Sequence, residues 1–165
     1  LTDIGAMSYR KQTCNISEIV EDLSVSLQGK LAQTGLSLEV KLTPEPISIF
    51  ADPERLHQLL LNLFNNSINY TEAPGTIRVS LSASAQDAVF TIEDSAPGVD
   101  PELHEKLFER LYRAESSRSR ETGGAGLGLS ICRNIVEAHA GRIEIDNSEL
   151  GGLKISVYLP LQESV

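Results

Sequence analysis

The sequence has little of what several large protein classes require. Its 165 residues hold two cysteines, Cys14 and Cys132, far apart and in no C-x-x-C pair. Neither a zinc site nor a disulfide framework is expected from them, and a reducing compartment is. No apolar run approaches the roughly 18 residues that a membrane-spanning helix needs. The N-terminus lacks the basic, apolar and small-residue order of a secretory signal. Basic residues are outnumbered, with 14 Lys and Arg against 23 Asp and Glu and a formal net charge of -9. That balance argues against a nucleic-acid partner, which needs clustered cations to neutralise phosphates. There is no internal repeat and no G-x-x-x-x-G-K-[ST] P-loop.

What is there fits one compact domain. At 41% hydrophobic residues the chain can bury a core without staples. Leu1 in place of Met is expected of a fragment of a longer protein. One local departure from the acidic average runs from Lys106 to Arg120, which includes Arg110, Arg113 and Arg118. It reads either as a solvated charged loop or as an attractor for a compact polyanion.

Apolar residues Ile16, Ile19, Val20, Leu23, Leu27 and Leu31 recur at helical spacing after Asn15 and Ser17, either of which can cap, and predict a helix ending near Gly35. Leu36 to Leu42 alternates as a strand, and Ile47 to Phe50 reads as its short partner. Asp52-Pro53 predicts a capped helix running to about Tyr70. Thr76 to Ser84 and Ala88 to Glu93 predict an antiparallel pair, and Pro101 to Phe108 a short helix. Ala114 to Gly126 reads as a mobile polar loop, Leu127 to His139 as a helix stopped by Gly141, and Arg142 to Asp146 with Leu153 to Leu159 as a hairpin. This order implies an α+β fold, a two-layer sandwich with helices on one face of a mixed, mostly antiparallel sheet.

Three features carry candidate chemistry. On the second helix Asn62, Asn66 and Asn69 share a narrow stripe, while Leu56, Leu60, Leu63 and Ser67 form the face that meets the sheet. An amide oxygen can ligate Mg2+ without adding negative charge beside a triphosphate, although solvent-facing amides explain the stripe equally simply. Asp94, at a strand end before Pro97-Gly98, can start a loop or present an acceptor-only carboxylate to the exocyclic amine of adenine. The glycines at 123, 124, 126 and 128 open a helix, where backbone N–H groups favour phosphate oxygens. A dinucleotide fingerprint is excluded because polar residues 116–122, and no buried strand, precede them.

Taken in order, these features resemble the boxes of histidine protein kinases. Leu-Asn-Leu-Phe-Asn-Asn-Ser at 61–67 looks like the N box, Asp94-x-x-x-Gly98 the G1 box and Leu107-Phe108-Glu109-Arg110-Leu111-Tyr112-Arg113 the F box. The glycine run looks like the G2 box, and Gly151-Gly152 the G3 box. Asp94-Ser-Ala-Pro-Gly98 and Val136-Glu-Ala-His139 resemble most the envelope-stress sensor kinases of the BaeS type.

The resemblance implies a Bergerat-type (GHKL) ATP-binding domain over residues 10–162. Residues 1–9 would link it to a missing dimerisation and phosphoacceptor domain, and 163–165 would form a tail. It implies ATP and Mg2+ as cofactors and assigns roles by position. Asn66 ligates the metal, Asn62 approaches the phosphates, Tyr70 packs near the base or sugar and Asp94 reads adenine. Arg113 approaches the terminal phosphate, and Gly98, Gly124, Gly126, Leu127 and Gly128 shape the base contact, lid hinge and phosphate cradle. Phe108 docks the lid or partner helices, or is an ordinary core aromatic. Asn69 stands where relatives often carry a phosphate-reaching Lys, and Leu111 replaces a common Phe.

Related ATPases of this fold place a Glu base four residues before the metal-binding Asn. Here that position is Asn62, whose amide cannot accept a proton. Transfer to a histidine is therefore expected over hydrolysis; an ATPase and a nucleotide-binding module without transfer stay open as alternatives. His57, His104 and His139 are expected to be structural, His139 at a helix end where a cation would suit the dipole. The acceptor histidine then lies on the missing helix domain of the same kinase. Implied partners are that domain and, through the full-length protein, a response regulator. The fragment is expected to be monomeric and cytoplasmic, its parent a homodimer in the bacterial inner membrane.

Overall fold

The computed structural model of the chain describes residues 8–95 and 125–162. In chain order these form β1 (Gln12–Asn15), α1 (Ile16–Gln33), β2 (Leu36–Leu42), β3 (Ser48–Ala51), α2 (Pro53–Tyr70), β4 (Gly75–Ala83), β5 (Asp87–Asp94), α3 (Ala125–Ala138), β6 (Arg142–Asn147) and β7 (Leu153–Pro160). The main sheet has the order β2-β4-β5-β7-β6. Its β2–β4 pair is parallel and its other neighbours are antiparallel.

Strand alternation decides which face is covered. Ile77, Val79 and Leu81 of β4, Ala88, Phe90 and Ile92 of β5 and Ile155, Val157 and Leu159 of β7 are all buried, each two residues from the next. The helices close over them with Ile16, Val20, Leu23, Leu27 and Leu31 from α1, Leu56, Leu59, Leu60, Leu63 and Phe64 from α2, and Cys132, Ile135 and Val136 from α3. Each fully buried Leu or Phe in this layer stabilises the fold by about 1.5–3 kcal/mol over an exposed one. The α+β sandwich expected from the sequence is the observed architecture.

The helices start where side chains can satisfy their first N–H groups. Asn15 Oδ1 accepts from Glu18 N at 3.0 Å and caps α1. Asp52 Oδ1 accepts from Glu54 N at 3.0 Å and Arg55 N at 3.3 Å, ahead of Pro53 in the first turn of α2. At its other end, α3 stops with Ala140 in the left-handed region at φ 58° and Gly141 N donating to Val136 O at 2.9 Å. The expected glycine stop is therefore displaced by one residue. Gly141 is required for a different reason, since a Cβ there would lie 2.2 Å from the carbonyl oxygen of Tyr158.

Two expectations are corrected. Ile47 to Phe50 does not partner Leu36 to Leu42. Instead β3 pairs antiparallel with β1, from Gln12↔Ala51 to Asn15↔Ser48, in a separate two-stranded sheet. The connection holding Pro44 and Pro46 carries the chain out of the main sheet, so β2 pairs in parallel with β4 after the α2 crossover. The β1 segment, Gln-Thr-Cys-Asn, is short, polar and without alternation, so nothing in the sequence announced a strand there.

The second correction concerns His139, buried beside the start of α2. Asp52 N donates to its Nε2 at 3.1 Å, so the proton sits on Nδ1, which faces Ile135 O at 2.8 Å. Burial, with Lys11 nearby, holds its pKa below the ordinary value despite the opposing influence of Ile135 O and Asp52. This imidazole is neutral at pH 7 and gives the helix dipole no cation; Lys11 Nζ instead donates to Ala138 O at 2.9 Å. Arg10 N donates to Asp52 Oδ2 at 2.7 Å and the Tyr9 ring meets His139 edge-on, so residues 9–11 fasten the start of α2 to the end of α3.

Candidate functional site

Two apolar stripes end in polar residues at the same place. The inward positions of β5 run Ala88, Phe90, Ile92 and then Asp94, and those of α2 run Leu56, Leu60, Leu63 and then Ser67. Asp94 is 5% exposed and Ser67 is also buried. The Asp94 carboxylate accepts from Leu153 N at 3.0 Å through Oδ1. Its pKa is pushed up to about 6, because burial and then the neighbouring Glu93 outweigh the lowering influence of the Leu153 N–H and the nearby Ser67 hydroxyl. Above that pH it is an ionised acceptor held in an apolar wall.

The β6–β7 hairpin fixes the backbone of this residue. Gly152 N donates to Asp94 O at 2.9 Å, and Gly151, at φ +111°, packs so closely that a Cβ would lie 2.5 Å from Ser95 O. Ser148 Oγ donates to Glu93 Oε1 at 2.7 Å, and Ser95 Oγ accepts from Thr76 N at 3.0 Å. On the helix side, Thr71 Oγ1 donates to Ser67 O at 2.6 Å and finishes the last turn of α2. The pair Gly151-Gly152 thus clamps the strand end that carries Asp94.

Ser67, Thr71 and the Leu153 N–H were not anticipated as site groups. Ser67 had a usable signal, a hydroxyl ending a stripe of leucines, as Asp94 ends a stripe of apolar strand residues. The Leu153 contribution comes from the backbone and leaves no mark in the sequence.

The amide stripe flanks this corner. Asn62 and Asn66 are half-buried, Asn69 is exposed and Tyr70, the last residue of α2, is 38% exposed. No described residue hydrogen-bonds the side chains of Asn62 or Asn66. From Gln58 to Thr71 the helix carries no ionisable side chain except Tyr70. Neutral amide oxygens on a helix edge without charged neighbours are a donor set that fits Mg2+, which takes few protein oxygens together with phosphate and water. Among the described residues no three His, Cys, Asp or Glu converge on one position.

Helices α2 and α3 run antiparallel. Asp52 N meets His139 Nε2 at 3.1 Å and Cys132 Sγ meets Leu59 O at 3.6 Å, a separation of seven residues on each helix. Continuing that register by seven more sets the start of α3, at Ala125 to Gly126, level with Asn66. Gly126, Leu127 and Gly128 lie in this first turn of α3. Gly98, Phe108, Arg113 and Gly124, with the expected helix 101–108 and most of the 114–126 loop, lie outside the described residues. A polar cleft of about 430 Å³ lined by Arg10, Asp52, Glu54 and Arg55 occupies the other end of α2, where Asp52 is already committed to capping.

Residues 51–163 match the family described as histidine kinase-, DNA gyrase B- and HSP90-like ATPases. The signal transduction histidine-protein kinase BaeS of Escherichia coli (strain K12) is 42% identical over 165 residues, covering 100% of the chain and 35% of BaeS. The chain therefore spans about a third of that relative's length. The catalytic domain of histidine kinase ThkA superposes with a TM-score of 0.77 at 28% identity, covering 94% of the chain and 97% of that domain. ThkA in complex with response regulator protein TrrA gives 0.76 at 26%, over 93% of the chain and 42% of ThkA. Full-length ShkA in complex with AMPPNP gives 0.77 at 26%, over 98% of the chain and 34% of ShkA.

Proposed function

The chain belongs to the histidine kinase-, DNA gyrase B- and HSP90-like ATPase family, in its sensor histidine kinase form, and from that premise we propose that it binds Mg-ATP and transfers the γ-phosphoryl group to a histidine on a separate dimerisation helix domain. The observation that carries this reading is Asp94, a buried carboxylate ending an apolar stripe beside a helix edge of neutral amides.

Asp94, ionised near neutral pH and acceptor-only, suits the exocyclic amine of adenine; the carbonyl oxygen that guanine presents at the same ring position would be repelled. Asn66 would hold Mg2+, which would neutralise triphosphate charge. Asn62 and Asn69 would face the phosphates and Tyr70 the base or sugar. Gly98, Arg113, Gly124, Gly126, Leu127 and Gly128 complete the nucleotide contacts, and Phe108 docks the lid or partner helix. Transfer is favoured over hydrolysis because Asn62 occupies the position of the water-activating base and cannot take a proton. His139, buried and doubly hydrogen-bonded, is a framework residue and not an acceptor.

The partners would be the dimerisation domain of the same kinase, reached through residues 1–9, and a response regulator, as TrrA is for ThkA. The fragment would be a monomer and the parent a homodimer in the bacterial inner membrane, with this domain on the cytoplasmic side. Among the described residues no helix is long and apolar enough to cross a membrane.

Calorimetric titration with ATP, with and without Mg2+, tests the reading. The wild-type chain should bind more tightly with Mg2+, and Asn66→Ala should lose that increment while keeping adenine selectivity. Absence of binding to the folded wild-type chain would sink the proposal.

A further inference from the structure

We propose that Ser148 is a positioning residue for the base-reading carboxylate, its hydroxyl anchoring the β6–β7 turn to Glu93 so that the backbone N–H groups of Gly152 and Leu153 hold Asp94 in place. The inference rests on the nucleotide reading above and adds to it a determinant of adenine selectivity.

The turn meets the end of β5 on both faces of the sheet. Strand alternation sends Asp94 to the face under the helices and Glu93 to the opposite face, and both are buried. On the outer face Ser148 Oγ donates to Glu93 Oε1 at 2.7 Å. Past the turn, Gly152 N donates to Asp94 O at 2.9 Å and Leu153 N to Asp94 Oδ1 at 3.0 Å. Two consecutive residues of β5 are therefore held by one short turn. Within it Ser148 Oγ accepts from Leu150 N at 2.9 Å, Ser148 N donates to Gly152 O at 2.7 Å and Gly151 N to Ser148 O at 3.0 Å. The residue that grips Glu93 thus also sets the path of the chain into Gly152 and Leu153.

Burial decides which anchor matters. A second side-chain tie, Arg78 Nη1 to Glu149 Oε2 at 3.0 Å, ends on a carboxylate that is 78% exposed, where an ion pair is screened and weak. Ser148 and Glu93 are only 8% and 7% exposed, and a hydrogen bond from a hydroxyl to a carboxylate is of the stronger kind. Without the Ser148 hydroxyl the turn loses its hold on the outer face and the two N–H groups lose their fixed approach to Asp94. An ionised carboxylate offers about four lone-pair directions. With Oδ1 taken by Leu153 N the rotation of the group is set, and the other directions are left for a ligand. Ser148 acts on the base through this backbone relay and not by contact.

The test follows amide hydrogen exchange by NMR in the full chain without nucleotide, for wild type, Ser148→Ala, Glu93→Leu and Glu93→Gln. Calorimetric titrations with ATP and with the purine riboside triphosphate that lacks the 6-amine accompany it. Ser148→Ala should speed exchange of the Gly152 and Leu153 amides by about ten-fold relative to the Phe90 and Val157 amides of the same sheet. It should also weaken ATP binding roughly two- to ten-fold and leave the amine-free nucleotide little affected. Glu93→Leu, which removes the acceptor, should do the same, whereas Glu93→Gln keeps an acceptor oxygen and should behave as the wild type. Exchange that rises equally across the sheet, or equal losses for the two nucleotides, in folded Ser148→Ala or Glu93→Leu overturns the proposal. A selective rise at Gly152 and Leu153 with no adenine-nucleotide binding by the wild type would support the anchoring and defeat the function proposed above.

Discussion

Replacing Asp94 by Asn should separate stability from binding, making the empty fold more stable while abolishing its recognition of adenine. In the folded chain the Asp94 pKa stands near 6, against an ordinary 3.8. At about 1.36 kcal/mol per pKa unit, ionising this group at neutral pH costs the fold about 2–3 kcal/mol. An amide avoids that cost. Its oxygen can still accept from Leu153 N.

For a raised carboxyl value the folded state holds the proton to higher pH than the unfolded chain. The penalty is thus absent below pH 3.8, grows between 3.8 and about 6, and is complete above that. Asp94→Asn should therefore raise Tm by about 5 °C at pH 7.5, and the gain should vanish near pH 4. Because the amide oxygen is taken by Leu153 N, the NH2 faces the adenine amine, donor against donor. ATP affinity should fall roughly 100-fold or more. Paired thermal melts at the two pH values, with calorimetry for binding, make the measurement. A variant less stable than wild type at both values would refute the reasoning about the buried charge.

Other outcomes follow from the same contacts. His139, neutral and held below the ordinary histidine value, contributes stability that is complete above pH 6.5 and lost as pH falls below it, since the unfolded chain takes up that proton first. Urea melts from pH 7.5 to 5 should show the wild type losing stability more steeply than His139→Asn, by up to about 1.4 kcal/mol per pH unit. Gly151→Ala, forced against Ser95 O at φ +111°, should lose about 2–3 kcal/mol and weaken ATP binding by displacing the Asp94 strand end. Gly29→Ala, inside α1 with nothing within 4 Å of the added Cβ, should instead gain about 0.5–1 kcal/mol and leave binding unchanged.

Much of this architecture can be read from residue spacing, because burial imposes a period. The α2 stripe of Leu56, Leu60, Leu63 and Ser67 and the β5 alternation through Phe90 and Ile92 are the same features that the core uses. The failures have equally local causes. β1 is four mostly polar residues stabilised by pairing with β3, so its existence depends on a partner more than thirty residues away. The parallel register of β2 on β4 leaves no trace, since alternation reports burial and not direction. At the site, Asp94 could be suspected from its place at a strand end. Its grip by Leu153 N and Gly152 N could not, because backbone groups carry no sequence signature. The state of His139 depended on a packing partner, Asp52 N, invisible from the helix that bears it.

The most direct test of the central claim is to incubate the chain with γ-labelled ATP, Mg2+ and a separately supplied dimerisation helix domain from the same kinase. The account predicts label on that domain as an acid-labile, base-stable phosphohistidine, lost in Asn66→Ala and Asp94→Asn. Inorganic phosphate released at about 10 per second, a rate typical of enzymes, with no labelled histidine, would contradict it and identify the chain as a hydrolase.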